Sequence, residues 1–76
     1  MSVKFQEGKE DFVNNIEQLR KSHELTRADL AAKLGTTHAA IYKWERGLNL
    51  PQMETAIKMA DFFEVSLDYL MGRESA

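Results

Sequence analysis

From Asp11 onward, apolar residues recur with the 3.6-residue period of amphipathic helices. Phe12, Ile16 and Leu19 fall on one face, with Val13 beside them and Asp11 as a candidate N-cap, which predicts a first helix from residue 11 to about Ser22–His23. Thr26-Arg27-Ala28-Asp29 has the spacing of a capping box, and Leu30, Ala31 and Leu34 give the next helix its inner face. Gly35 should stop that helix, because glycine reaches positive φ without steric cost. Thr37 then caps a third helix, His38 to about Arg46, with Ile41 and Trp44 inward. Ala31 is expected to be small because this third helix crosses closely over it. Gly47 ends the third helix and Pro51 keeps residues 48–51 a loop. A fourth helix is expected from Met53 to Phe63, with Ala56, Ile57, Ala60 and Phe63 on its stripe. Ser66 caps a short fifth helix, Leu67–Met71, closed by Gly72.

Residues 1–10 show no clear period and read as a flexible arm, with packing of Val3 and Phe5 as the alternative; 11–72 form the domain and 73–76 a short tail. With 76 residues and no cysteine, the fold has neither disulfides nor thiolate metal sites to supplement it and must come from close-packed helices. The expectation is all-α, a compact five-helix bundle. No apolar run approaches the about 20 residues of a membrane span, no signal-peptide pattern opens the chain, and a cytoplasmic protein is expected.

The net charge of −2 argues mildly against a nucleic-acid partner, but its distribution does not. Residues 26–52 carry +2, from Arg27, Lys33, Lys43 and Arg46 against Asp29 and Glu45, whereas residues 53–76 carry −3. A dipolar molecule of this kind is steered onto DNA with its basic face leading.

Taken together, Leu19-Arg20, Leu25-Thr26, Leu30-Ala31, Leu34-Gly35, Ile41, Trp44-Glu45-Arg46-Gly47, Pro51 and Val65-Ser66-Leu67-Asp68-Tyr69-Leu70 resemble the Cro/Xre-type helix-turn-helix family of phage repressors and bacterial regulators. The resemblance runs from about Val13 to Gly72 and rests on joint spacing, since each piece alone is weak. It implies a lambda-repressor-like DNA-binding domain whose third helix enters the major groove. It also implies a structural pair between Arg20, late in the first helix, and Glu45, late in the recognition helix. His38, Ala39, Tyr42 and Lys43 become the base-contact candidates: Lys43 for guanine O6 or N7, Ala39 for a thymine methyl. Arg27, Thr37, Arg46 and Asn49 become the phosphate candidates.

Several positions depart from the family pattern. Arg27 stands where glutamine is common, and His38 and Ala39 replace longer polar side chains. Glu24 occupies a position usual for glycine, storing ~1 kcal/mol of backbone strain, and Gln52 one usual for serine.

Catalysis has little support, since His23 and His38 lie on different elements and no phosphate loop or H-x-x-x-H spacing exists. The acidic residues of the last two helices are scattered, so no metal is expected; no cofactor is expected either, nor a small-molecule ligand, since an effector domain after Ala76 is not expected. The reading is a sequence-specific regulator of double-stranded DNA, a repressor acting by operator occupancy as a homodimer on a palindrome. The alternative is a protein-interaction module, such as an antitoxin or adaptor. Either would use Phe62, Leu67, Tyr69 and Met71, which exceed what so small a core accommodates, as an apolar patch.

Overall fold

The computed structural model describes residues 14–73, and among them every regular element is a helix. In chain order these are α1 (Ile16–Ser22), α2 (Arg27–Leu34), α3 (His38–Glu45), α4 (Met53–Phe63) and α5 (Leu67–Leu70). The expected arm, the tail beyond Arg73, and the expected first-helix residues Asp11, Phe12 and Val13 lie outside the described residues. The all-α, five-helix expectation holds for the described part. Helix α3 packs on α2 and α1, while α4 packs on α2 and α5. The core gathers Ile16, Leu30, Ile41, Met59 and Leu70, all with no exposed surface.

Three expectations change. The first helix begins at Ile16, so Asn14 and Asn15 are not helical. Both asparagines make bonds that a helix through them would forbid. Buried Asn14 accepts the Ile16 N–H through Oδ1 at 3.0 Å and donates Nδ2 to the Trp44 carbonyl at 2.9 Å. Asn15 donates its backbone N–H to Leu70 O at 2.9 Å and its side chain to Tyr69 O at 2.6 Å, tying the start of α1 to α5. On α4 the inward stripe is Ala56, Met59, Ala60 and Phe63, a regular i, i+3, i+4, i+7 set, and Ile57 is 46% exposed. Helix α5 stops one residue short, with Met71 as its C-cap.

The helix starts follow their sequence signals. Thr26 accepts the Asp29 N–H and the Asp29 carboxylate accepts the Thr26 N–H, each at 3.0 Å, completing the capping box of α2. Thr37 accepts the Ala40 N–H at 3.1 Å and Ser66 the Tyr69 N–H at 3.0 Å. Gln52 caps α4 without a side-chain bond. The Asp29 carboxyl is held below its ordinary value of 3.8 by the Thr26 backbone N–H first and the Thr26 hydroxyl second. A lowered folded-state value means its contribution is full above the ordinary pKa and vanishes as pH falls through the lowered one. Melting curves of wild type and Asp29→Asn should therefore differ at neutral pH, keep that difference down to about pH 4, and converge only as pH falls through the lowered value.

The helix ends share one device. Each of the five helices is followed by a residue in the left-handed region, and the next N–H reaches back to close the turn: Leu25 to Arg20 O, Thr36 to Ala31 O, Leu48 to Lys43 O, Val65 to Ala60 O and Arg73 to Asp68 O. Glycine supplies three of these residues. Glu24 (φ 57°) and Glu64 (φ 59°) supply the others, at a cost glycine avoids. Glu24→Gly and Glu64→Gly should each raise stability by about 1 kcal/mol, about 4–8 °C in Tm for a domain of this size. Unchanged or lower melting temperatures would show that the left-handed glutamates carry no strain.

Candidate nucleic-acid interface

Helix α3 owes its orientation to three buried side chains and its surface to four exposed ones. Ile41 and Trp44 enter the core. Glu45, one residue beyond Trp44, lies at the inner edge of the helix with a side chain fully removed from solvent. A carboxylate in that position requires partners, and two arginines provide them. Arg20, itself buried, donates Nε to Glu45 Oε2 at 2.5 Å and Nη2 to Oε1 at 3.2 Å, a two-pronged contact between α1 and α3. Its Nη1 donates to the Leu25 carbonyl at 2.9 Å, so one guanidinium also holds the turn that leads into α2. The hydrogen bond to Glu45 raises the Arg20 pKa further, against the opposing effect of burial. Among the described residues, no buried side-chain nitrogen or oxygen lacks a partner.

The second arginine is Arg27, the first residue of α2, which donates Nε to Glu45 Oε1 at 2.9 Å. Sequence reasoning placed Arg27 among groups free to meet phosphate and missed this contact. No local pattern announces it, because the two residues are 18 apart and meet only when α2 and α3 pack. Asn14, which latches the end of α3 through Trp44 O, was missed for the same reason.

The opposite face of α3 carries His38, Ala39, Tyr42 and Lys43, all exposed, as i, i+1, i+4 and i+5 positions on one stripe. The phosphate candidates surround it. Thr37 sits at its amino end, where its hydroxyl already accepts the Ala40 N–H. Arg46 is the C-cap, and exposed Asn49 lies in the loop beyond. Tyr42, 42% exposed, lies beneath two guanidinium groups: Arg27 Cζ is 5.1 Å and Arg46 Cζ 5.9 Å from its ring centroid. The result is a convex, basic helix face, suited to a polyanion groove. The described residues hold no group of three His, Asp or Glu side chains placed for a metal ion, and no helix long and apolar enough to cross a membrane.

The apolar candidates are distributed differently. Phe62 is 37% exposed and rests its ring on Phe63 and His23, with centroids 5.0 and 6.4 Å away. Leu67, Tyr69 and Met71 are half-buried, Leu67 and Met71 against the core. The most exposed large apolar side chains are Leu48, Met53, Leu50 and Ile57, on the α3–α4 loop and the outer side of α4. Leu50 and Met53 form one groove with Pro51, Leu67 and Met71.

Comparison with known proteins agrees with this geometry. A helix-turn-helix family model matches residues 16–70. The HTH-type transcriptional regulator YqaE of Bacillus subtilis, itself uncharacterized, is 39% identical over 64 residues, covering 84% of this chain and 55% of that protein. The transcriptional repressor RstR of the cryptic phage CTXphi in Vibrio cholerae is 41% identical over 54 residues, 71% of this chain and 48% of RstR. The HTH-type transcriptional activator BcrR of Enterococcus faecalis is 38% identical over 64 residues, 84% of this chain and 31% of BcrR. The chain thus spans about half the length of these curated relatives, or less.

Proposed function

The chain belongs to the Cro/Xre-type helix-turn-helix family of DNA-binding transcriptional regulators, and from that premise we propose that it occupies a specific double-stranded operator through α3 and represses by excluding polymerase. The observation that carries the reading is the division of α3. Its inward side is engaged by Ile41, Trp44 and Glu45, while His38, Ala39, Tyr42 and Lys43 stand exposed, with the guanidiniums of Arg27 and Arg46 over the Tyr42 ring. No catalytic role is assigned to any of these groups, and the cytoplasm is the proposed place of action.

In this reading Lys43 meets a base edge and Arg46 a phosphate. Lys43→Ala should relax preference at one base position, at a cost of about 1–3 kcal/mol on the preferred sequence. Arg46→Ala should weaken all duplexes alike and lower the salt slope by about 1. Titrations of matched and mismatched duplexes at several salt concentrations separate the two, and the reverse pattern would exchange their roles.

We assign the exposed groove of Leu50, Met53, Leu67 and Met71 to a second copy of the chain. It adjoins the loop that leaves α3, so a twofold contact there couples two recognition helices to half-sites about 34 Å apart. In vitro selection from a random duplex pool tests the whole reading. An enriched palindrome supports it. No enrichment together with a flat salt dependence favours the rival role, a module that binds another protein through the same apolar surface.

A further inference from the structure

An exposed tyrosine in the middle of a recognition helix invites the assignment of a base contact. Its neighbours suggest a different task. Arg27 begins α2 and Arg46 closes α3, yet both bring their guanidinium groups within 6 Å of the Tyr42 ring centroid. A guanidinium at this range is attracted by the negative face of the ring, and here a single ring serves both arginines. Arg27 is fixed from its other side by the Nε bond to Glu45.

We propose that Tyr42 is a positioning residue: its ring is the platform that holds Arg27 and Arg46 as a paired cationic site for the DNA backbone, before DNA arrives. This rests on the DNA-binding reading above and changes the role of one residue within it. Holding both guanidiniums in place beforehand spares the ordering cost that two free arginine side chains meet on binding. The ring then contributes to affinity on every sequence and specifies no base.

The experiment is a double-mutant cycle on binding to a short random-sequence duplex at several salt concentrations, with folding checked by circular dichroism. Tyr42→Ala should weaken binding about fivefold, whatever the sequence. Tyr42→Phe, which keeps the ring and drops the hydroxyl, should bind like wild type. In an Arg46→Ala background, Tyr42→Ala should cost clearly less than it does alone, because one of the two groups it positions is gone. Equal cost in both backgrounds overturns the proposal. So does a loss in Tyr42→Phe as large as in Tyr42→Ala, or a loss confined to a selected sequence, since either makes Tyr42 a direct contact. A wild-type chain that binds no duplex overturns the DNA-binding reading and the platform with it, a result distinct from the others.

Discussion

Glu45→Ala is expected to remove a large share of the domain's stability and lower its melting temperature sharply. The substitution removes the carboxylate that pairs with Arg20, a guanidinium buried between α1 and α3, and leaves it the Leu25 carbonyl as a hydrogen-bonded acceptor. Breaking a buried pair by removing one partner costs about 3–5 kcal/mol. A domain of about 60 ordered residues has only about 3–9 kcal/mol in total. The loss comes from the stranded charge rather than from the intrinsic strength of the pair. Arg20→Met combined with Glu45→Leu should therefore recover most of the stability, since Arg27 is exposed enough to hydrate on its own. Thermal melts of the single and double variants check this. A single variant that melts with wild type would mean the pair contributes nothing to holding α3.

Ile41→Ala should be nearly as severe, for an unrelated reason. Ile41 has no exposed surface and sits at the centre of α3, within the core cluster that includes Leu30, Ala31 and Trp44. Truncation there loses burial and leaves a cavity, together about 2–5 kcal/mol. A neighbouring substitution on the outward side, Ala39→Ser, should change stability by less than about 0.5 kcal/mol. Denaturant titration of the two variants gives the contrast directly. A small effect at Ile41 would mean that α3 is held by its charges alone.

These two residues also show what the sequence makes legible. The period of apolar positions places Ile41 and Trp44 inward because that period is a property of one helix and needs no knowledge of what packs against it. Caps are equally local: Thr26 with Asp29, Thr37 with Ala40, Ser66 with Tyr69 each span three residues. Arg20 and Glu45 are paired in sequence only through the family resemblance, since 25 residues separate them. Where no such pattern exists, sequence reasoning fails. The link from Asn14 to Trp44 spans 30 residues, and it shows in the sequence only as a polar residue before a helix. Ile57 and Met59 exchange places because periodicity gives the width of a stripe but not its rotation, which the packing of α4 on α2 and α5 decides. Glu64 takes a glycine's conformation with no signal, and Arg27 looks solvated until α3 brings Glu45 beside it. The scaffold is therefore more legible than the surface around the outward face of α3.

The partition of α3 has one more consequence, for how such proteins diversify. Ile41, Trp44 and Glu45 hold the helix, and His38, Ala39 and Lys43 hold nothing else in place. On the proposed reading, changes at those three exposed positions cost little stability, so a descendant would acquire a new operator in single steps without passing through an unstable intermediate. Tyr42 is the exception on that face. If two arginines depend on its ring, it is the outward position where a lineage has least freedom, and relatives that read different operators would still keep an aromatic there.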